Sequence, residues 1–158
     1  MSNRTFYNLH FRPVGQGLFC HGNLEFRYDG GENPPDFEWV YDCGEDKKGY
    51  HVLRQIEAYG SYNSHDIDLL MISHFDQDHV FGIGKLLEKR KPKVIVAPYL
   101  SLAERLASIS TFTAVDSEYI GFLLDPAAGL RELAGPRDII DACIINSKSG
   151  SKLNFIEF

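Results

Sequence analysis

Six consecutive residues, His74-Phe75-Asp76-Gln77-Asp78-His79, carry two imidazoles and two carboxylates at the spacing H-x-D-x-D-H. These groups suit zinc, manganese or iron, and four of them are enough to hold parts of two ions. Ions held this way lower the pKa of water and stabilise charge growing on oxygen, so the chemistry indicated is metal-assisted hydrolysis. His74 and Asp76, two residues apart, can be turned toward one ion by an extended segment. Asp78 and His79 fall at the expected start of a helix and can face a second ion. The helix N-terminus would add positive potential there. The plainer reading is a hydrogen-bonded turn with Asp78 as a helix cap.

Something must carry that run to an exposed edge. Ile67 to Ser73 is almost continuously apolar, the pattern of a central buried strand. Such a strand delivers its last residues to the carboxyl edge of a sheet, where ligands gather in α/β folds. Upstream, Thr5 to Arg12 alternates as a strand, Gly15-Gln16-Gly17 makes a tight turn, and Leu18 to Cys20 resumes an extended run. A second strand is expected around Leu24 to Tyr28, then a loop at Asp29 to Pro35 and a third strand over Phe37 to Tyr41, ending at Asp42-Cys43-Gly44. Val52, Leu53, Ile56 and Tyr59 have helical spacing, closed by Gly60. Downstream the pattern predicts a helix from Val80 to Arg90, a strand from Lys93 stopped by Pro98, and a helix marked by Leu102, Leu106 and Ile109. A helix from Asp116 to before Asp125-Pro126, a short one over Ala127 to Ala134, and extended pieces at Ile139 to Ile145 and Leu153 to Phe158 complete the reading. The order indicates an α/β sandwich in which a mixed sheet is covered by helices.

With 158 residues, 44% of them hydrophobic, the chain reads as one soluble domain with a real core. A net charge of −6 argues against a broad nucleic-acid footprint, but a metal site can neutralise phosphate locally. Cys20, Cys43 and Cys143 form no C-x-x-C pair and are expected as buried thiols of a reducing cytoplasm. The first residues lack the apolar core of a signal peptide, and no stretch has the length of a membrane span. His10, His21, His51 and His65 stand alone and read as surface or satisfied core residues. Lys85, Lys89, Arg90, Lys91 and Lys93 form the one basic cluster. A solvated helix end explains it, and contact with a phosphate backbone is the sharper alternative.

The H-x-D-x-D-H run, preceded by Val14-Gly15-Gln16-Gly17 and by Tyr41-Asp42-Cys43-Gly44, resembles the metallo-β-lactamase superfamily, whose signature is H-x-H-x-D-H. Asp76 stands where that signature has its second histidine, and this variant looks most like the domain of ComEC-like DNA-uptake proteins and related phosphodiesterase-type members. The three segments span roughly residues 5 to 85. The resemblance implies a metallo-β-lactamase-like αββα sandwich, here only its first sheet-plus-helices half. It implies His74 and Asp76 on a first ion and Asp78 and His79 on a second, with zinc as the metal and manganese as the alternative. Asp78 would also orient the attacking water as a general base. Asp42 would stand behind the ligands and accept the free N–H of a ligand histidine. The implied activity is hydrolysis of a phosphodiester, nuclease-like, through a metal-bound hydroxide.

The sequence departs from that family downstream. Complete members use a third histidine, a bridging aspartate and a last histidine, whereas no histidine follows His79 here. Asp116, Asp125, Asp138 and Asp141 follow without a recognisable ligand context. The expectation is therefore a domain truncated on its C-terminal side, whose site is completed by more chain, a second polypeptide or a homo-oligomer. Two further functions compete with the nuclease: a catalytically incomplete half-domain that serves as a protein-interaction module, and a hydrolase of a thioester, lactone or cyclic nucleotide.

Overall fold

The chain begins with two antiparallel ladders. In the computed structural model, which describes residues 3–46, 50–62, 66–110, 117–134, 141–145 and 154–156, β1 (Arg4–Phe11) pairs along its whole length with β2 (Phe19–Arg27). β2 pairs in turn with β3 (Phe37–Cys43). The connection to β4 (Ile67–Met71) runs through α1 (Tyr50–Tyr62), and from there the sheet is parallel. After α2 (Gln77–Val80) and α3 (Ile83–Lys89), β5 (Pro92–Pro98) lies beside β4. Then α4 (Leu102–Ser110), α5 (Ser117–Leu124) and α6 (Pro126–Ala134) lead to β6 (Asp141–Ile145), parallel to β5. β7 (Asn154–Ile156) returns antiparallel, and spatial order equals sequence order across all seven strands. Parallel neighbours require a crossover, and the apolar helices supply it. This is the mixed α/β architecture expected from the sequence.

Several element boundaries differ from the sequence reading. Leu18 to Tyr28 is not two strands but one, with a bulge at Phe19/Cys20, because β1 and β3 pair with it on both sides. Gly60 does not end α1, which continues to Tyr62; a Cβ there would make only ordinary contact with Lys89. The helix expected from Val80 to Arg90 is two helices, broken at Phe81-Gly82. Gly82 donates its N–H to the Cys43 carbonyl at 2.7 Å, so the chain turns against the end of β3 instead of continuing. The helix marked by Leu102, Leu106 and Ile109 is present as α4, with Leu102 and Leu106 about half exposed. α4 begins with a capping box, in which Ser101 N–H donates to Glu104 and Glu104 N–H to Ser101 Oγ. His65, Asp116 and Asp138 lie outside the described residues.

Strand alternation separates two faces. Val40, Leu70 and Ile95 are register neighbours and fully buried. They pack with Val52, Ile56 and Tyr59 of α1 and with Ile83, Leu86 and Leu87 of α3 in one core. The opposite face carries the row Leu9, Gly22, Trp39, Leu69 and Val94 across five strands. A neighbouring row runs from Phe11 through Tyr41 and Met71 to Val96. These side chains are only partly buried among the described residues, and on β1 Tyr7 and Phe11 are 78% and 70% exposed. Gly22 has no side chain because the Trp39 indole lies against it.

One buried ion pair ties the layers together. Arg90, at the C-terminal end of α3, donates two parallel hydrogen bonds to the Glu38 carboxylate of β3, each 2.8 Å. The Tyr59 hydroxyl adds a third at 2.6 Å, and the Arg90 guanidinium lies 4.5 Å from the Tyr59 ring centre. Burial alone would raise the Glu38 carboxyl; the bonds from Arg90 and Tyr59 reverse this and hold it below its ordinary value. The same network raises the Tyr59 hydroxyl, through burial first and then its bond to Glu38. Breaking a buried pair strands a charge, at a cost of about 3–5 kcal/mol. Chemical denaturation should show Arg90→Met losing about that much, while the double variant Glu38→Leu/Arg90→Met recovers most of it. Equal losses in the single and double variants would contradict this account.

Candidate metal centre

Asp42 closes β3 with φ +54°, the one non-glycine residue with positive φ among the described residues. That backbone costs an L-residue energy and is kept only where the surroundings hold it. Here the surroundings are three donors to a fully buried carboxylate. Oδ1 accepts the Ser73 N–H at 2.8 Å, and Oδ2 accepts the Ser73 hydroxyl at 2.6 Å. His79 Nδ1 lies 2.8 Å from the same Oδ2 and donates to it. The Ser73 hydroxyl, its proton committed to Asp42, accepts from His74 Nδ1 at 2.8 Å. One carboxylate therefore sets the tautomer of both histidines, His79 directly and His74 through Ser73. Each ring is left with a lone pair on Nε2 for a ligand.

The rings of His74 and His79 lie 3.8 Å apart between centroids. Ligand atoms of His74, Asp78 and His79 all fall within 4.8 Å of one another. This grouping crosses the two pairs drawn from spacing, where His74 went with Asp76 and Asp78 with His79. Asp76 is the most exposed of the four, 61% for its side chain, with Oδ2 3.5 Å from His74 Nε2. It occupies the N-cap position of α2 but makes no side-chain cap bond; Asp78 lies inside the first turn. Because α2 is a single turn, the helix potential expected there is small.

The two glycine segments have a steric reason for their place in the sequence. A Cβ on Gly44 would overlap the Asp78–His79 peptide, and one on Gly17, whose φ is +148°, would lie 2.8 Å from the Asp78 carbonyl. Leu18 N–H donates to that carbonyl at 3.1 Å, and Gly44 N–H donates to Leu18 O at 2.9 Å. Val14-Gly15-Gln16-Gly17 and Asp42-Cys43-Gly44 thus clamp the backbone that presents Asp78 and His79. Glu45 follows the clamp and accepts from Val52 N–H at 2.8 Å, with its other oxygen 2.6 Å from His51 Nδ1, which anchors the start of α1. Cys43 and Cys20 lie beside Asp42 as free buried thiols. Burial first, then the Asp42 charge, raises both thiol pKa values, so they remain protonated.

Residues that spacing left unassigned also matter here. Ser73 relays Asp42 to His74, and its only sequence signal is a hydroxyl directly before the ligand run. Four of the five residues of the basic cluster are paired with acids: Lys85 with Glu88, Lys89 with Glu57, Lys93 with Asp68, and Arg90 with Glu38. No described helix is long and apolar enough to cross a membrane. Compared with known proteins, the profile of the Metallo-beta-lactamase superfamily matches residues 36–141, a span that includes Asp42, Ser73 and the whole ligand run. No curated protein matches the chain.

Two substitutions test the clamp and the carboxylate separately. Gly44→Ala should destabilise by roughly 1–3 kcal/mol through overpacking, whereas Gly31→Ala, with open space around it, should be neutral in the same thermal melt. Asp42→Asn should weaken zinc binding about 10–100-fold in chelator competition; unchanged affinity would remove Asp42 from the site.

Proposed function

The chain belongs to the metallo-β-lactamase superfamily, and we propose that within it the domain is a metal-dependent hydrolase of phosphodiesters, of the ComEC-like type. The carrying observation is the convergence of His74, Asp78 and His79 in front of one buried carboxylate. Neighbouring ligand atoms around zinc are roughly 3–3.5 Å apart given bonds of about 2.0–2.2 Å. Small side-chain rotations therefore bring the 4.8 Å cluster to that size. Two imidazoles and a carboxylate suit zinc, with manganese as the alternative.

His74 and His79 would hold the ion through Nε2, and Asp78 through one oxygen. Asp76, with Oδ2 3.5 Å from His74 Nε2, would add a carboxylate beside His74. A divalent ion bound there supplies Lewis-acid activation of water and neutralises phosphate charge. Asp78 contributes its second oxygen as acceptor for the proton of the attacking water. Asp42 keeps the His79 ring in its ligand tautomer throughout. The phosphodiester assignment rests on Asp76 in place of a histidine together with the V-G-Q-G and D-x-G segments. Because Lys85, Lys89 and Lys93 are already paired with acids, a short or small phosphodiester fits better than a long polyanion track. Free thiols at Cys20 and Cys43 support a reducing cytoplasm as its location.

A second reading has its own support. The apolar rows from Leu9 to Val94 and from Phe11 to Val96 suit association with another protein layer rather than catalysis.

Elemental analysis and hydrolysis of bis(p-nitrophenyl) phosphate with zinc or manganese decide between the readings. Wild-type protein should retain metal and turn over, and Asp78→Ala/His79→Ala should lose metal and about 100-fold or more in rate. Faster cleavage of a thioester, lactone or cyclic nucleotide would move the substrate class. Metal-free, inactive protein that runs as a dimer would favour the interaction module.

A further inference from the structure

We propose that a pocket of about 120 Å³ at the carboxyl edge of the sheet, walled by Phe75, Tyr99, Leu100, Arg105, Asp125 and Leu130, takes a planar ring of nucleobase size, with Arg105 as the residue that selects it. The proposal rests on the phosphodiester reading for the reaction it serves. The ring would belong to the organic group esterified beside the scissile phosphate. The space holds on the order of eight to ten water-sized atoms, which suits one base and not a length of strand.

Position links the pocket to the metal centre. β4 and β5 run parallel with Met71 level with Val96, and Ile72 N–H still donates to Val96 O at 2.8 Å where β4 ends. His74-Phe75 and Tyr99-Leu100 therefore leave the sheet at the same height, on strands about 4.8 Å apart. Phe75 stands between His74 and Asp76 in the chain, and its buried ring forms part of the pocket wall. The crevice beyond the carboxyl ends of neighbouring strands is where α/β sheets bind ligands.

The wall carries one orphan donor. Arg105 of α4 gives Nη1–H to the Leu124 carbonyl at the end of α5. Its Nε–H is buried and has no hydrogen-bond partner. Capping of α5 accounts for Nη1 and leaves Nε unexplained; a buried donor without a partner is costly unless a ligand meets it. Asp125 accepts the Ala128 N–H through Oδ1 at 3.0 Å, and its carboxylate shares the wall with Arg105. An oxyanion against Arg105 would face that carboxylate, so charge argues for a neutral occupant. A base edge is neutral and offers an acceptor to Arg105 and an N–H to Asp125. Most of the remaining wall is apolar, and Tyr99, 51% exposed, offers a ring for stacking.

The experiment is an NMR titration of the full, isotope-labelled chain without added metal, using adenosine, guanosine, cytidine and thymidine, with inorganic phosphate as the control. A nucleoside should shift the Arg105 Nε–H and the Tyr99 amide saturably, and phosphate should shift neither. Arg105→Lys, which keeps a cation for the Leu124 carbonyl but has no Nε–H, should weaken nucleoside binding about tenfold. Tyr99→Ala should weaken it about fivefold. With zinc or manganese added, Arg105→Lys should raise KM about tenfold for the p-nitrophenyl ester of thymidine monophosphate and leave methyl p-nitrophenyl phosphate unchanged. No saturable shift from any nucleoside overturns the proposal, as does an equal response to phosphate or a response undiminished in folded Arg105→Lys. If that variant does not fold, an undiminished response in Tyr99→Ala overturns it instead. Nucleoside binding without turnover would support the pocket and remove the phosphodiester reading, so the two fail separately.

Discussion

The candidate metal centre depends on a buried carboxylate that has no lysine or arginine bonded to it among the described residues. Asp42 is fully inaccessible, and its charge is met by one backbone N–H, one hydroxyl and one imidazole N–H. Removing a carboxylate from water is expensive, and three donors compensate only when each is accurately placed. This requirement fixes the geometry between the end of β3, the end of β4 and α2. It also fixes both histidine tautomers, because the donors that satisfy Asp42 are the ones that orient His74 and His79.

β3 carries a second buried carboxylate, and the contrast shows what each does. Glu38 is paired with the guanidinium of Arg90. It joins β3 to α1 and α3. Asp42 instead accepts from Ser73 and from His79 Nδ1. A paired carboxylate in this fold holds layers together, and a hydrogen-bonded one orients the histidines of the candidate metal centre.

Backbone packing supplies the rigidity that such a site needs. Gly17 and Gly44 let two loops touch the Asp78–His79 peptide, and Gly82 lets the chain turn against Cys43. Removal of the side chains at these contacts brings main chain to main chain, where hydrogen bonds from Leu18 and Gly44 lock the approach. The opposite face of the sheet shows different physics. Its rows, from Leu9 to Val94 and from Phe11 to Val96, are apolar and only partly buried among the described residues.

Much of this was legible in the sequence. The continuous apolar run through Met71 predicted a buried strand because both faces of a central strand are covered. The ligand run after it predicted an edge site because residues at a strand end must leave the sheet. The boundaries at Gly60 and at Phe81-Gly82 were not legible, since a glycine's effect depends on what stands against it: side-chain contact for Gly60 and strand backbone for Gly82. Nor was the grouping of ligands, because spacing in a turn does not say which way each side chain rotates. The sequence alone determined the fold class, the family resemblance and the residue types available for a metal. Only the tertiary structure decided that Asp42 and Ser73 bond the histidines, that ligand atoms of His74, Asp78 and His79 gather within 4.8 Å, and that Lys85, Lys89 and Lys93 pair with acids. Those outcomes depend on contacts between residues up to 37 positions apart, as in Asp42 and His79, and local spacing carries no information about such contacts.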